Sequence, residues 1–344
     1  MRITIQTKGG EFEVDCEAGD NMLYAGLKAG VTLPYECGTG TCGTCRCRVM
    51  EGDWELTWAD APGLAYVKQE KSETLMCQAR MKGDCIIRVP GEITKEDSGP
   101  DHFCGRLENL QRLTHDVASF SVPLDRPMDF MAGQFVVLEA PGLDGGRAYS
   151  MTNYGTGVSR LDFVVKRKPG GGVSDWLFAG SPVGIELGVF GPLGRATFDP
   201  AEDKNVVCIA GGSGIAGMMA ILDHGVASGH FADHTAHVFF GVRTEKDIFF
   251  AEEFRRSVEK FPDNVNVTIA LSDAQTTDGL AEKYPGLNFA TGFVHAVASE
   301  RMSGNYDNMV GYVAGPPPMV DGALRMLVLE ARLPGTDIRY DKFS

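Results

Sequence analysis

The chain has 344 residues, 43% of them hydrophobic and 23% charged, long enough for two or three domains at about 150 residues each. Lys and Arg number 32 against 46 Asp and Glu, a net charge of −14, which argues against a nucleic-acid partner because phosphates are neutralised by a positive face. No stretch approaches the roughly 20 consecutive apolar residues of a membrane span, and the opening MRITIQTKGGEFEVD lacks the charged-then-apolar pattern of an export signal. The chain is therefore expected to be soluble and cytoplasmic, without a membrane partner. Nine cysteines, odd in number and with no export signal, point away from disulfides and toward thiolate ligation of a metal.

In chain order, Ile3 and Ile5, the Lys8-Gly9-Gly10 turn, then Phe12 and Val14 predict a hairpin. Asn21 is placed to cap a helix through Met22, Leu23, Leu27 and Ala29, which Gly30 stops. A glycine-rich cysteine loop follows. The polar stretch from Gly91 to His102 has no apolar periodicity and reads as a linker. Beyond it, Phe120, Val122, residues 135–138, Leu161 and residues 163–165 form short runs divided by Gly and Pro, which predicts a small antiparallel barrel. After Asp199 a continuous apolar run, 206–210, leads through glycines into a helical pattern at Ile215, Met218, Met219, Ile221 and Leu222. Strands at 238–241, 265–271 and 309–314 alternate with helical stretches, which predicts an open parallel sheet. The predicted division is 1–92, a linker at 93–102, 103–199 and 200–344.

Cys37, Cys42 and Cys45 have the spacing C-x4-C-x2-C, and Cys77 stands alone further on. This is the plant-type pattern for a [2Fe-2S] cluster, two thiolates to each iron. Zinc is the rival, but structural zinc sequences usually pair two short-spaced motifs. Cys47 falls on a predicted strand and reads as packing. With Pro34-Tyr35-Glu36 before it and Arg46-Cys47-Arg48-Val49 after it, the loop resembles plant-type ferredoxin domains. The resemblance covers residues 1 to 92 and implies a β-grasp (α+β) fold.

Arg147-Ala-Tyr149-Ser150 alone would be a weak signal. It is followed by the strand Val164-Val165-Lys166, then by Gly170-Gly171-Gly172-Val173-Ser174 opening a helix whose free amides suit a pyrophosphate. Gly191-Pro192-Leu193-Gly194 reads as a tight closing turn. In this order the motifs resemble the flavin domain of the ferredoxin-NADP reductase superfamily, an antiparallel β-barrel. The resemblance implies that Arg147 pairs with flavin phosphate, Tyr149 packs on the isoalloxazine and Ser150 hydrogen-bonds near N5. It further implies that Val164, Val165 and Lys166 line the ribityl side and that Gly172, Val173 and Ser174 hold the pyrophosphate. A ferredoxin domain placed first looks like the FAD-containing members, so FAD is expected; FMN stays open because no adenine-stacking residue is assigned.

Gly211-Gly212-Ser213-Gly214, between a buried strand and a helix, lets a dinucleotide approach the helix start. It resembles the superfamily's Gly-Gly-Thr-Gly signature, with Ser213 for threonine and Gly217 where proline is common, and it implies an α/β nucleotide-binding domain. The segments holding Arg243 and Gly315-Pro316 also look like family motifs. After Leu271-Ser272, Asp273 stands where NADP-dependent relatives tend to carry arginine. An aspartate repels a 2′-phosphate and accepts from a free ribose hydroxyl, so NADH is the expected donor. Ala314 replaces a frequent cysteine and is not assigned to catalysis. Near the chain end Phe343 is the candidate cover of the flavin face, with simple packing in a sheet as the other reading.

Three weaker signals are set aside. His230, His234 and His237 share no helical face that would hold a metal. Trp54 and Trp58 read as core rather than partner surface, and Glu252, Glu253, Arg255 and Arg256 as a solvated helix face. Together the three modules resemble the NADH-dependent reductase component of bacterial multicomponent oxygenases, including those of aromatic hydrocarbon catabolism. The resemblance implies an oxidoreductase carrying electrons from NADH through FAD and a [2Fe-2S] cluster to an oxygenase or ferredoxin partner. The acidic net charge suggests a basic partner face. The alternatives are the same electron chain serving a non-oxygenase acceptor, and a non-enzymatic protein holding zinc on Cys37, Cys42, Cys45 and Cys77.

Overall fold

The structure, a computed structural model, describes residues 1–17, 19–143, 145–180 and 182–342. The chain divides into two units, one of Met1–Gly105 with Val136–Tyr149 and Glu186–Leu193, the other of Arg106–Phe135, Ser150–Ile185 and Gly194–Ser344.

In the first unit, alternating Ile3 and Ile5 turn their side chains inward and both are fully buried. They lie on β1 (Arg2–Gln6), which pairs antiparallel with β2 (Glu11–Asp15). The Asn21 side chain accepts from Tyr24 N at 2.8 Å and starts α1 (Met22–Lys28), six of whose seven residues are buried. After the cysteine loop come β3 (Arg46–Glu51), β4 (Trp54–Leu56), β5 (Glu73–Leu75), β6 (Ala79–Met81) and β7 (Cys85–Arg88). The main sheet has the order β2-β1-β7-β3-β5, with β1 and β7 parallel. One helix and a mixed sheet with a parallel central pair make up the β-grasp arrangement. Trp54 and Trp58 are only half-buried, so neither is the core residue expected of it; β4 is a three-residue strand paired only with β6, too short to shelter an indole on both sides.

The polar stretch ends sooner than its composition suggests, since Asp101 and His102 already belong to β8 (Asp101–Arg106). There follow β9 (Glu108–Arg112), β10 (Val117–Phe130), β11 (Phe135–Glu139), β12 (Arg147–Ser150), β13 (Gly155–Lys166), α2 (Gly172–Ala179) and β14 (Glu186–Leu193). In the first unit the order is β12-β11-β14-β8, and in the second β10 lies between β9 and β13, antiparallel to both. The expected Gly-Pro-Leu-Gly turn is not one: Gly191, Pro192 and Leu193 continue β14, with a cis Gly191–Pro192 bond. The physical reason is close strand packing, as a Cβ on Gly191 would lie 2.6 Å from Val136 Cγ1.

The rest of the second unit alternates strand and helix: β15 (Asn205–Gly211), α3 (Ile215–Ala227), β16 (Ala236–Val242), α4 (Ala251–Lys260), β17 (Val265–Leu271), α5 (Leu280–Lys283), β18 (Asn288–Thr291), α6 (Val294–Met302), β19 (Met309–Gly315), α7 (Pro317–Leu329) and β20 (Ile338–Lys342). The strands are all parallel, in the order β18-β17-β16-β15-β19-β20. Both faces are covered, which is why β15 reads as an unbroken apolar run. Val206, Cys208 and Ala210 pack with Ile215, Met218 and Phe254 on one side; Val207 and Ile209 pack with Val297, Val320 and Leu327 on the other. His230 and His234 stack at 4.2 Å, but their ring nitrogens go separately to Lys204 O at 2.8 Å and Asp203 Oδ1 at 3.1 Å, leaving no shared point for a metal. Arg255 pairs with Glu252 and Arg256 with Glu253 on the exposed side of α4.

Candidate functional site

In the first unit the cysteine loop folds back so that backbone amides point at sulfur. Cys37 Sγ accepts from the N–H groups of Thr39 and Thr41, each at 3.4 Å, and Cys42 Sγ from Thr44 N at 3.5 Å. The thiols stand in two pairs. The neighbouring Cys42 thiol holds the Cys37 thiol well below the ordinary range, against the effect of burial, and the Thr41 side chain and Thr39 amide add to the lowering. Cys45 and Cys77 approach to 3.3 Å, and Gln78 Nε2 reaches Cys77 Sγ at 3.8 Å.

A tetrahedral zinc would draw four sulfurs to about 2.3 Å from one point and so bring all of them close to one another. Among the described residues the one group of three or more ligand atoms within 4.8 Å of each other is His115, Asp116 and Asp247, and none of the four cysteines belongs to it. Two separated thiol pairs with amides aimed at sulfur fit a two-iron cluster and not a single metal ion. Cys47 is fully inside the sheet of the same unit, where burial pushes its thiol up, and it is not part of either pair.

The loop leans on β11 and β14 of its own unit. A Cβ on Gly38 would sit 3.8 Å from both Val137 Cγ2 and Leu193 Cδ1. Tyr24 donates its hydroxyl to Gly38 O at 3.1 Å and stacks on Phe190 with ring centroids 4.0 Å apart. Arg147, at the start of β12, bonds its own neighbour Gly146 O at 2.8 Å and lies 5.0 Å over the Trp58 ring. The sequence reading missed this contact between Trp58 and Arg147; a lone half-buried indole carries no periodic signal. Tyr149, two residues along the strand, is mostly enclosed, and burial raises its hydroxyl despite nearby Arg147.

In the second unit Ser150 is buried, and Val164 and Val165 lie inward on β13. Lys166, at the strand end, is paired with Asp116 Oδ2 at 3.1 Å. At the start of α2 the Ser174 hydroxyl accepts from Lys168 N at 3.1 Å, and Asp175 takes the Gly170 amide at 2.6 Å. These bonds close the glycine loop on itself while the first helical amides, from Gly172 onward, point past the helix end as helix geometry requires.

The turn from β15 into α3 is a 3₁₀ segment, Gly212–Gly214. A Cβ on Gly214 would come 2.4 Å from Ala314 O and 2.9 Å from Gly315 N; no side chain fits between this turn and the end of β19. Gly211, Gly214 and Gly315 are thus brought together, with Pro316 Cδ 3.1 Å from a Cβ built on Gly211. A Cβ on Gly212 would be 3.5 Å from Lys166 Cδ, so Lys166 and the glycine turn share one locality. Arg243 and Asp273 stand at the carboxyl ends of neighbouring strands β16 and β17, where Asp273 N donates to Arg243 O at 2.9 Å. Ser272 Oγ donates to Asp273 Oδ1 at 2.9 Å and orients the exposed carboxylate. Crevices at the carboxyl ends of parallel strands are where such sheets bind ligands. Phe343 lies outside the described residues.

Three family models match in chain order. They are the 2Fe-2S iron-sulfur cluster binding domain over 4–82, the oxidoreductase FAD-binding domain over 105–198 and the oxidoreductase NAD-binding domain over 208–325. The ferredoxin–NAD(P)+ reductase CarAd of Metapseudomonas resinovorans is 33% identical over 334 residues, which is 95% of this chain and 96% of that one. The chain belongs to the ferredoxin–NAD(P)+ reductase family.

Another member, the ferredoxin–NAD+ reductase component of the alkene monooxygenase system of Xanthobacter autotrophicus, is 30% identical over 95% of this chain and 97% of its own. Among solved structures the ferredoxin reductase in carbazole 1,9a-dioxygenase superposes with a TM-score of 0.83 at 30% identity, covering 100% of this chain and 99% of that one. The fold class read from the motifs is therefore right in all three parts: a ferredoxin module, an antiparallel flavin-binding module and a parallel-sheet nucleotide module. As a family member the chain is an oxidoreductase using a [2Fe-2S] cluster, FAD and a nicotinamide dinucleotide. No helix among the described residues is long and apolar enough to cross a membrane.

Proposed function

We propose that this reductase takes electrons from NADH, in preference to NADPH, and delivers them singly to an oxygenase or ferredoxin component of a multicomponent oxygenase in the cytoplasm. The observation that carries the reading is the pairing of Cys37 with Cys42 and of Cys45 with Cys77 in an amide-lined loop. When bound, FAD supplies the conversion between a hydride's electron pair and single electrons, and the cluster a one-electron relay.

The chain's own residues do the positioning. The amides of Thr39, Thr41 and Thr44 donate to cysteine sulfur, which favours added negative charge on the cluster. Arg147 would pair with flavin phosphate, Tyr149 would pack against the flavin ring and Ser150 would hydrogen-bond it near N5. Val164, Val165 and Lys166 would line the ribityl side, and the amides of Gly172, Val173 and Ser174 would hold the pyrophosphate. Gly211, Gly212, Ser213 and Gly214, with Gly315 and Pro316, admit the dinucleotide backbone. Arg243 flanks it, and Asp273 accepts from the ribose 2′-hydroxyl. None of these roles requires an acid-base triad.

The test is an anaerobic visible spectrum before and after one equivalent of NADH, with NADPH alongside. Bleaching of flavin and cluster bands by NADH, with little response to NADPH, is expected. An unchanged spectrum from protein that contains iron and FAD refutes the proposal.

A further inference from the structure

A protein of net charge −14 has a local reversal of charge beside its cluster loop. In the first unit β3 begins directly after the ligand Cys45, and its register sets Arg48 opposite Arg88 of β7. β7 in turn runs parallel to β1, with Arg88 beside Gln6. The start of β3, the end of β7 and the end of β1 therefore share the edge of the sheet next to the cluster loop. That edge carries a groove of about 740 Å³ lined by Lys8, Arg46, Arg48 and Arg88, with Glu11 and Glu73 as its acidic residues.

Both carboxylates are committed to neighbours. Glu73 accepts from Lys68 N at 2.9 Å and stands 3.7 Å from Arg48, and Glu11 accepts from Gln6 Nε2 at 2.8 Å. Among the described residues the Arg88 guanidinium has only the Gln6 amide oxygen as a side-chain partner, at 3.3 Å. Lys8, Arg46 and Arg88 are exposed, and among the described residues none of them is paired with a carboxylate. Like charges directly opposite one another across a strand pair cost stability; Glu73 offsets this at Arg48, and an incoming anion would offset it at Arg88.

We propose that this groove is the docking surface for an acidic face of the electron acceptor, holding it where one electron passes from the reduced cluster to the acceptor's oxidised centre. The acceptor's charge follows from complementarity, since three of the four cations, Lys8, Arg46 and Arg88, have no carboxylate partner among the described residues and attract carboxylates. The overall negative charge of the reductase points to a basic partner instead; the groove makes the local field at the cluster edge opposite to the global one. The inference rests on the cluster reading above.

The experiment measures NADH-driven reduction of two one-electron probes by the full-length holoprotein: the soluble haem domain of cytochrome b5, whose haem edge is acidic, and cytochrome c, whose haem edge is basic. Wild type is expected to reduce cytochrome b5 with a kcat/KM that falls steeply with salt. Arg48→Glu/Arg88→Glu is expected to lower that kcat/KM at least tenfold at low salt and to abolish its salt dependence, while cytochrome c reduction is not lowered. Bleaching of the cluster by NADH serves as the internal control, because its loss in wild type refutes the reductase reading rather than the groove. Should the double charge reversal fail to hold a cluster, Arg48→Gln/Arg88→Gln carries the same comparison. A cytochrome b5 rate within twofold of wild type overturns the proposal, as does an equal fall with both probes or no reduction of cytochrome b5 by wild type.

Discussion

Replacing Asp273 by Asn tests the assignment of donor specificity with little change in shape. The carboxylate is exposed just past the end of β17 and accepts from the Ser272 hydroxyl at 2.9 Å, while the Asp273 backbone N–H donates to Arg243 O at 2.9 Å. The appropriate dielectric is therefore close to that of water. A unit charge at about 5 Å from a 2′-phosphate of charge about −2 is repelled by roughly 1.5 kcal/mol under those conditions, which is about tenfold in kcat/KM. The same change weakens the bond to the ribose hydroxyl of NADH, and hydrogen bonds to charged groups contribute about 1.5 kcal/mol or more. The ratio of kcat/KM for NADPH over NADH is thus expected to rise between about tenfold and a hundredfold, most of the gain appearing in KM. The assay is initial-rate ferricyanide reduction with each donor at fixed low ionic strength. A ratio within twofold of wild type refutes the reasoning and removes Asp273 from the ribose site.

Other outcomes follow from the same geometry. Cys42→Ser is expected to abolish the cluster's visible bands and cytochrome c reduction while NADH-ferricyanide activity through flavin persists, whereas Cys47→Ala keeps the full iron content because Cys47 lies outside both thiol pairs; iron analysis decides it. Gly214→Ala places a methyl 2.4 Å from Ala314 O, and overpacking of this kind costs about 1–3 kcal/mol, so a lower thermal midpoint and a raised KM for NADH are expected together. Burial lowers the pKa of His237, and it lowers that of His224 against the opposing pull of Asp199 and Asp223. Since each then binds a proton more readily unfolded than folded, stability is complete above the unfolded value of about 6.5 and declines as pH falls through it toward the folded values. Urea midpoints at pH 7.5 and 5.5 should show that decline, with a smaller one in His237→Asn.

What could be read from the sequence was what repeats or what is spaced. β15 sits between two covered faces, so Val206 through Ala210 are apolar without interruption; the edge strands β18 and β20 bury little on either side and show no such run, and both went unpredicted. The cysteine spacing singled out Cys37, Cys42, Cys45 and Cys77 as the proposed ligands because a chain wrapping a small cluster has few ways to present three thiols from one loop. The Gly-Pro-Leu-Gly motif was misread because glycine and proline signal turns in general, whereas here Gly191 is required by the close approach of Val136 and the chain stays extended. Trp58 under Arg147, Asp116 on Lys166 and the arginine-lined groove all join residues distant in sequence through tertiary structure, and no local pattern encodes them. The groove makes the strongest case for needing coordinates: a net charge of −14 describes the whole surface, while electron transfer is decided over the few residues that meet a partner at the cluster. A sum over the chain cannot reveal that Arg48 and Arg88 face each other across β3 and β7, and it is on that pairing, rather than on the sum, that the proposed sign of the acceptor's docking face rests.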